Sequence, residues 1–369
     1  MKTYILDSLF EEIETANAES CLIYGLRTPK KIVLCTLSDK PEFELVGHFD
    51  ENAAEQDSHT EKDAVILAKD SDGKFSCFVT AGDDDEKSKT NLLKIDHQVI
   101  HYKTDFNKRN HGIIDESSLQ SRKVTIIGLG SGGATTAEQL LRSGVTNLTL
   151  IDFDTVSLSN LCRSIYTLED LDCKKTDALK RKLLRINPLS NIETIEDDIL
   201  SMPISKLSEI LDSTDLLIEA TDSMKTKILV NGLAHNKVPV IYPAVYDKGK
   251  GGDILFTYPG SPCYECAFSQ IMRQTKDREK GDWDYSTNSA KPMPALIADI
   301  QVIVSRSVKL ALAILSADSE KSFIEDITEK DCTLLFIGNE KGVFIFDSPF
   351  QEVWAKVEID PDCMCQQLQ

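Results

Sequence analysis

The chain has 369 residues, of which 41% are hydrophobic, enough for two domains that each bury an apolar core. Its 60 acidic and 41 basic side chains give a formal net charge of −19, and such a surface repels nucleic acids and anionic membranes. We therefore expect neither as a partner, and expect substrates that carry local positive charge or enter a locally basic pocket.

The sequence also predicts where the protein works. Residues Met1–Ser20 contain no long apolar run, so no secretory signal is expected. The best membrane-span candidate, Ile297–Leu315, carries Asp299, Arg306 and Lys309, so no spanning helix is expected. Ten cysteines without a secretory signal predict reduced thiols and a cytoplasmic location, where clustered cysteines are typical of metal ligands or nucleophiles.

Residues 1–100 alternate short apolar runs with polar connections, which predicts a small α+β accessory domain. A helix is predicted at Asp7–Ala18, and strands are predicted at Cys21–Leu26, Lys31–Leu37, Phe43–Phe49, Ala64–Ala68 and Phe75–Thr80. No chemistry is evident in this part. A docking module, a dimerisation arm and a degenerate enzyme domain are all open, and partner binding is the interpretation we favour.

Residues 101–369 are predicted to form a second domain, and the pattern of a βαβ unit begins at Arg122. Alternating strands and helices predict a mainly parallel, Rossmann-like sheet with helices on both faces, an α/β fold. The predicted strands are Val124–Ile127, Leu148–Asp152, Ile192–Ile195, Leu216–Ala220 and Val240–Pro243, with helices at Ala134–Ser143, Thr176–Ile186 and Lys225–His235. Later strands, expected to be antiparallel, are predicted at Ile254–Thr257, Thr333–Gly338 and Gly342–Phe346.

The turn after the first of these strands satisfies the pattern G-x-G-x-x-G. Glycines let the backbone approach a phosphate, and the N-terminus of the next helix offers free N–H groups and a partial positive charge. An acid at the end of the second strand can bind ribose hydroxyls, and Asp152 stands there. This motif alone does not separate an NAD enzyme from an ATP enzyme. The predicted nucleotide-binding residues are Gly128, Gly130, Ser131, Gly132, Gly133 and Asp152.

The segment Ile151–Arg163 reads IDFDTVSLSNLCR. It resembles the D-x-D-x-V-x-x-S-N-L-x-R motif of the ThiF/MoeB/HesA family and of ubiquitin-activating enzymes. Lys175, ahead of a helix that ends in R-I-N-P, and the triplet Thr221–Ser223 resemble later elements of that family in the same order. The resemblance covers the chain from about residue 107 onwards.

The resemblance implies ATP- and Mg²⁺-dependent adenylation of the C-terminal carboxylate of a ubiquitin-like or small sulfur-carrier-like protein, with release of pyrophosphate. Cations and a metal suit this chemistry because charge on the triphosphate must be stabilised. By the resemblance Arg163 and Lys175 are the cations, Asn160 donates to a phosphate oxygen, and Asp222 holds Mg²⁺. Asp154 joins the nucleotide site, where it would orient Asn160 or Arg163. Taken singly, each can also be a surface cation, a turn residue or a helix cap.

Upstream, the segment Phe106–Gly112 (FNKRNHG) resembles the family segment around an arginine that reaches the other subunit's nucleotide site. Arg109 is the match, and Lys108 competes with it. The resemblance therefore implies a homodimer. A solvated basic linker is the alternative.

Four cysteines form two close pairs, Cys263 with Cys266 and Cys363 with Cys365. The family carries a structural zinc held by two C-x-x-C pairs, so the resemblance implies Zn²⁺ at these four residues. The second pair here is C-x-C, which is tighter. Free buried cysteines are the alternative.

No acyl-carrying cysteine occurs in Ala267–Pro294, where many relatives have one. Cys173 is the remaining candidate and Cys162 a weaker one. We expect the adenylate to pass instead to a thiol, sulfur donor or amine of a downstream conjugating or sulfur-transfer protein. Two other functions compete with adenylation. An NAD-binding oxidoreductase leaves Asn160, Arg163, Lys175 and the cysteines unexplained, and an inactive scaffold for a ubiquitin-like protein leaves the intact phosphate site unexplained.

Overall fold

The computed structural model describes residues 2–40, 42–51, 65–70, 72–81, 91–113, 115–275, 294–318, 322–328, 333–363 and 365. The chain divides into two compact units, Met1–Arg109 and Asn110–Gln369. The division predicted from the sequence lies after residue 100. Within the described ranges, no helix combines the length and the apolar character needed to cross a bilayer.

The first unit contains a mixed eight-stranded sheet and a helix packed on it. The five predicted strands and the predicted helix are present within a few residues of their expected bounds. Three further strands were not predicted, and one of them, His97–Ile100, is largely exposed and shows no alternation that a sequence pattern could reveal. The elements are β1 (Lys2–Leu6), α1 (Asp7–Ala16), β2 (Ser20–Thr28), β3 (Lys31–Thr36), β4 (Glu44–Asp50), β5 (Val65–Lys69), β6 (Phe75–Ala81), β7 (Asn91–Ile95), β8 (His97–Ile100) and α2 (Tyr102–Asp105).

This sheet closes on itself. Its strand order is β7-β6-β5-β4-β2-β3-β1-β8, yet only Asp96 separates β7 from β8 in the chain. Neighbouring strands lie about 4.8 Å apart, so the edges of a flat sheet of this width would be roughly 34 Å apart. One residue cannot span that distance, so the segment Asn91–Ile100 must be the seam of a curled, barrel-like sheet. Leu9 and Ile13 of α1 belong to its core.

The second unit contains the predicted Rossmann-like sheet, which confirms the α/β class. The strands are β9 (Lys123–Ile127), β10 (Asn147–Ile151), β11 (Asn191–Ile195), β12 (Leu216–Glu219), β13 (Val240–Tyr246), β14 (Gly251–Thr257), β15 (Leu334–Gly338) and β16 (Gln351–Ala355). The helices are α3 (Glu116–Ser121), α4 (Ser131–Arg142), α5 (Lys175–Ile186), α6 (Ile204–Asp212), α7 (Met224–Ala234), α8 (Tyr264–Thr275), α9 (Ile297–Leu315) and α10 (Ile324–Thr328).

The order of this sheet is β11-β10-β9-β12-β13-β14-β15-β16. The first five strands in that order run parallel, and β14, β15 and β16 each pair antiparallel, as expected for the later strands. Helices α4 and α9 pack together against one face. Side chains of α6, α7 and α8, such as Leu207, Val230 and Ala267, bury a core with Leu217 and Leu255 on the other.

One strand prediction was wrong. The run Gly342–Phe346 is apolar, but it forms a turn in which Gly342 N–H donates to Phe346 O at 2.8 Å. Gly342 and Phe344 have φ of +84° and +52°, which strand backbone does not allow. The last strand is β16 instead, and its partner is β15.

Candidate active site

Three strands end side by side at the carboxyl edge of the second sheet. Ile127, the last residue of β9, is paired with Ile151 of β10 and with Glu219 of β12. The residues that follow these strands, Gly128 and Asp152 among them, therefore emerge at one edge. The chain runs from β9 outwards through β10 to β11 and then returns to the other side of β9 at β12. Such a change of direction opens the crevice in which doubly wound sheets bind ligands.

Two glycines make the turn after β9 possible. Gly128 has φ of +85°, and a Cβ there would lie 2.9 Å from Thr221 Cγ2. A Cβ on Gly133 would lie 1.8 Å from the carbonyl oxygen of Gly128. Both positions therefore require glycine for the close packing of the turn against the β12 end and the first turn of α4.

The other glycines border open space. A Cβ on Gly130 would meet no atom within 4 Å, and one on Gly132 would meet a single methyl group at 4.0 Å. Gly130 is the N-cap of α4 and Ser131 its first residue, so the free N–H groups of the helix lie at this opening. The open N-terminus of the 12-residue helix α4 suits a phosphate.

Asp152 fastens the glycine turn. Its carboxylate accepts from Leu129 N–H at 2.6 Å and from Asp154 N–H at 2.8 Å. Lys175 Nζ lies 3.7 Å from Asp152 and 2.6 Å from Asp154 Oδ2. Asp152, expected only to bind ribose, is thus also a structural part of the turn.

Lys175 is a buried cation held by two carboxylates. It is the first residue of α5 and is 7% exposed, and its own N–H donates to Asp154 O at 3.0 Å. A buried ammonium needs such compensation because its desolvation is costly. The pairing positions the Lys175 ammonium beside the glycine turn, where it can meet a phosphate.

Sequence reasoning missed Tyr166. Its hydroxyl donates to Leu129 O at 2.8 Å, so the glycine turn is held through its N–H by Asp152 and through its C=O by Tyr166. Burial, and then the nearby Asp152 carboxylate, raise the pKa of Tyr166, which keeps it protonated as a donor. No local pattern marks this tyrosine, because the group that it contacts lies far away in the sequence.

Asn160 and Arg163 lie on successive turns of the segment after β10. Asn160 Oδ1 accepts from Ser157 N–H at 2.9 Å, which closes the short 3₁₀ turn Leu158–Asn160. Its Nδ2 donates to no other described side chain or carbonyl. The half-buried Arg163 donates its N–H to Asn160 O at 3.2 Å. The acceptor end of Asn160 is therefore fixed while its donor end can serve a ligand.

Asp222 follows β12, on the far side of the glycine turn from Asp152. The possibility that Asp222 caps α7 is wrong, because Ser223 is the N-cap and its Oγ accepts from Thr226 N–H at 3.2 Å. The Asp222 side chain is exposed and makes no hydrogen bond or ion pair with any residue that the structure describes. Its carboxylate is available to a cation.

Arg109 lies at the boundary between the two units. It is exposed and is the last residue of the first unit, and within the described part of that unit its side chain has no hydrogen bond or ion pair. Lys108, the competing candidate, lies 3.8 Å from Asp105.

The four predicted cysteine ligands meet. Their sulfurs all lie within 4.8 Å of one another, with Cys263 to Cys266 at 3.7 Å, Cys263 to Cys363 at 3.4 Å and Cys266 to Cys365 at 3.6 Å. Thiolates around a tetrahedral Zn²⁺ are about 3.8 Å apart, because each Zn–S bond is about 2.3 Å. The C-x-C spacing of the second pair is thus compatible with a tetrahedral site.

Burial disfavours the ionisation of most of these thiols in the absence of a cation. Burial raises the pKa of Cys263 to about 12 and those of Cys363 and Cys365 to about 11. Burial opposes ionisation of Cys266 too, but hydrogen bonds, led by the Asp360 N–H at 3.4 Å, lower its pKa. Four buried thiolates would repel one another, so a divalent metal would supply the charge that the cluster lacks.

The candidate carrier thiols have different surroundings. Cys162 is exposed, with its sulfur 3.4 Å from Ser159 O, and Cys173 is half-buried, with its sulfur 4.0 Å from Arg181 Nη2. Residues 276–293 of the segment expected to carry no acyl-accepting cysteine lie outside the described residues.

The class that fold and site define is a nucleotide-binding Rossmann-like protein with a separate four-cysteine site. The family model described as the ThiF family matches residues 103–326, more than half of the chain. The protein belongs to the ThiF family.

Two curated relatives illustrate the similarity. The molybdopterin-synthase adenylyltransferase of Haemophilus influenzae is 35% identical over 192 residues, which are 51% of this chain and 74% of that protein. The ubiquitin-like modifier-activating enzyme 5 of Drosophila virilis is 29% identical over 181 residues, 46% of this chain and 45% of that protein.

Solved structures show the same fold. Escherichia coli MccB with AMPCPP and MccA superposes with a TM-score of 0.52 at 19% identity, covering 70% of this chain and 73% of MccB. MccB with ATP gives a TM-score of 0.52 at 18% identity, covering 71% and 75% of the two chains.

Proposed function

We propose that this protein is an adenylyltransferase that uses ATP and Mg²⁺ to activate the C-terminal carboxylate of a ubiquitin-like or small sulfur-carrier-like protein. The observation that carries the proposal is the crevice at the ends of β9, β10 and β12. There, an open helix N-terminus, the buried Lys175 and the exposed Asp222 converge. Membership of the ThiF family, with relatives named adenylyltransferases, supports it.

Each residue has a distinct task in this reaction. The N–H groups around Gly130 and Gly132 receive phosphate oxygens, while Lys175 and Arg163 balance the charge of the triphosphate. A carboxylate oxygen of the partner attacks the α-phosphorus. The bond from the α-phosphorus to the β-bridging oxygen breaks, pyrophosphate leaves, and the Asn160 amide stabilises a phosphate oxygen.

Mg²⁺ would be held by Asp222. When bound, it would neutralise charge on the departing pyrophosphate. The Asp222 carboxylate suits this role because Mg²⁺ prefers oxygen ligands. In the described part of the chain, no lysine or arginine side chain pairs with this carboxylate.

Zn²⁺ is the proposed occupant of the cysteine site. Thiolate ligands and tetrahedral spacing favour zinc over hard cations. It would bind the C-terminal Cys363 and Cys365 to the body of the domain, so its role is structural.

The functional unit is proposed to be a homodimer in which Arg109 reaches the partner subunit's nucleotide site. Large apolar side chains, Phe153, Leu158 and Leu168, are exposed in and after the segment that carries Asp154. We propose these side chains as candidates for the subunit contact, because larger exposed apolar patches mark protein–protein interfaces. Residues 1–100 are proposed to bind a partner.

The proposed acyl acceptor is external, a thiol, sulfur donor or amine of another protein. Neither Cys162 nor Cys173 lies among the described contacts of the glycine turn.

Pyrophosphate exchange tests the proposal. The purified protein is mixed with ATP, labelled pyrophosphate and ubiquitin-like proteins that end in an exposed Gly-Gly tail. Label should enter ATP only when such a partner is present. NADH turnover without exchange would favour the oxidoreductase, and binding of a partner without exchange would favour an inactive scaffold.

A further inference from the structure

Helix α7 buries polar side chains on the face that it turns to the core. Lys227 and Asn231 are 6% and 3% exposed, and their spacing of four residues places them one above the other on one face of the helix. Burying a polar group costs free energy unless it is hydrogen-bonded or paired, so the partners of these two side chains indicate the role of this face. Neither residue belongs to the nucleotide site or to the cysteine ligands.

At its N-terminal end, α7 holds the turn that carries Asp222. Lys227 pairs with the fully buried Glu219, and the same carboxylate accepts from both the N–H and the hydroxyl of Thr221. Ser223 N–H donates to Thr221 Oγ1 at 3.3 Å. The residues on both sides of Asp222 are therefore fixed by one buried ion pair.

At the other end, Asn231 holds the first cysteine pair. Its Oδ1 accepts from Tyr264 N–H at 2.9 Å, and its Nδ2 donates to Glu265 at 3.1 Å. Tyr264 and Glu265 are the two residues between Cys263 and Cys266. Because Tyr264 opens α8, its N–H has no partner within that helix, and Asn231 supplies one from a neighbouring helix.

Tyrosine side chains add a second connection. The Tyr264 hydroxyl lies 3.6 Å from Met224 Sδ, at the start of α7. Its ring is 4.8 Å from the buried ring of Tyr242. Burial, and then the charge of Glu219, raise the pKa of Tyr242, so this phenol stays neutral beside the Glu219 carboxylate.

We infer that α7 couples the two sites, with Asn231 as a positioning residue, so that metal at the cysteines tightens binding of Mg²⁺ and nucleotide at the Asp222 turn. The metal fixes the Cys263–Cys266 turn, Asn231 transfers that constraint to α7, and Lys227 with Glu219 transfers it to Asp222. This coupling rests on the proposed function only in that the Asp222 turn serves a nucleotide.

Coupling between binding sites must be reciprocal. If the metal strengthens nucleotide binding, then Mg²⁺ with a non-hydrolysable ATP analogue must raise the affinity of the cysteine site for its metal by the same factor. Occupancy of one coupled site typically changes the affinity of the other site about 5- to 150-fold. Loss of a group that orients a metal ligand typically lowers the affinity for the metal about 10- to 100-fold.

Two variants separate coupling from general loss of stability. Asn231→Ala removes both hydrogen bonds to the cysteine turn. Val230→Ala, the matched control, truncates the neighbouring buried apolar side chain on α7 and leaves both Asn231 hydrogen bonds intact. Both variants are prepared with metal bound, so that each is tested as the folded holoprotein.

The experiment measures two affinities without measuring adenylation. Calorimetry gives the Kd of the ATP analogue with Mg²⁺ for metal-loaded and chelator-stripped protein, and a zinc-sensitive dye follows metal release with and without the analogue. Wild type and Val230→Ala should bind the analogue at least 5-fold more tightly when loaded, and Asn231→Ala should show a ratio near one.

The outcomes are distinguishable. Equal nucleotide Kd in loaded and stripped wild type, or an equal loss of coupling in Val230→Ala, overturns the coupling while leaving the proposed function intact. If stripping unfolds the wild type, loaded Asn231→Ala must still bind the analogue more weakly than loaded Val230→Ala, and equal binding overturns the coupling. Loaded wild type that binds no ATP analogue at all overturns the proposed function, and the coupling with it.

Discussion

Lys175 Nζ lies 2.6 Å from Asp154 Oδ2, so a buried cation beside the glycine turn is held in place by an exposed carboxylate. The ammonium is thereby positioned in advance for a triphosphate. We predict that Lys175→Met lowers pyrophosphate exchange by about 100-fold or more, as for loss of one charge-stabilising group. Lys174→Met is the matched control, because Lys174 pairs with Glu196 at 2.7 Å and should be dispensable. Equal activity of the two variants would remove Lys175 from the mechanism.

Asp222→Ala should abolish exchange and leave the melting temperature unchanged, because the described structure gives its carboxylate no partner. Ser223→Ala should retain exchange and lower the melting temperature, because it removes the cap of α7 and costs about 1 kcal/mol of stability. Exchange titrated with Mg²⁺ and thermal melts separate the two effects. Near-normal exchange by Asp222→Ala at saturating Mg²⁺ would show that the metal is held elsewhere.

The cysteine site should hold one zinc per chain in freshly purified, reduced protein. Cys365→Ser should lose the metal and lower the melting temperature by roughly 5 °C or more, since a domain of this size loses about 2–4 °C per kcal/mol. Cys162→Ser, at an exposed cysteine outside the cluster, should retain the metal and the wild-type melting temperature. Metal analysis that finds no zinc in the wild type would contradict the assignment.

Asp253 should make stability depend on pH. Burial raises its pKa from 3.8 to about 7, although the Tyr246 hydroxyl at 2.8 Å and the charge of Lys227 both favour ionisation. Because the pKa is higher in the folded state, the stabilisation is complete below about pH 4 and is lost as the pH rises through about 7.

Asp253→Asn should therefore flatten the pH dependence of the unfolding free energy between about pH 4 and 7, by up to about 4 kcal/mol over the full titration. Urea unfolding at several pH values measures it. Asp247→Asn is the control. Asp247 is exposed in the turn that precedes β14, so this variant should retain the wild-type slope. Parallel curves for Asp253→Asn and wild type would show that this carboxyl is ionised in the folded protein.

Subunit mixing tests Arg109. An Arg109→Ala chain and an Asp222→Ala chain are each expected to be inactive. Random exchange makes half of the dimers mixed, and each mixed dimer keeps one intact site, so about a quarter of the wild-type activity should return. No recovery, despite demonstrated subunit exchange, would mean that Arg109 acts within its own subunit or has no role.

The sequence predicted the parts of the site that are contiguous. The glycine turn could be read because the strand, the turn and the helix follow one another. The cysteine set was predicted only through family resemblance, since Cys266 and Cys365 are distant in the chain and their 3.6 Å approach depends on how the C-terminal segment packs.

Contacts between elements were missed. Glu219 stands in the apolar strand run LLIEA, and nothing in that run shows that Lys227 of the next helix pairs with it. The closed first sheet was missed for the same reason, because β8 is short, shows no alternation of buried and exposed residues, and has its partner β1 about 95 residues earlier. The false strand Gly342–Phe346 had the right composition, but its left-handed residues are visible only in the backbone.

Transfer of adenylate to a protein carboxylate is tested most directly by following label from ATP. The enzyme is incubated with a ubiquitin-like partner and with ATP labelled at either the α- or the γ-phosphate, then quenched in acid. We predict that α-label is recovered with the partner and is lost when its C-terminal residue is removed, while γ-label leaves ATP only as pyrophosphate. Recovery of γ-label on the partner, or of α-label independent of the C-terminal residue, would contradict adenylation of the tail.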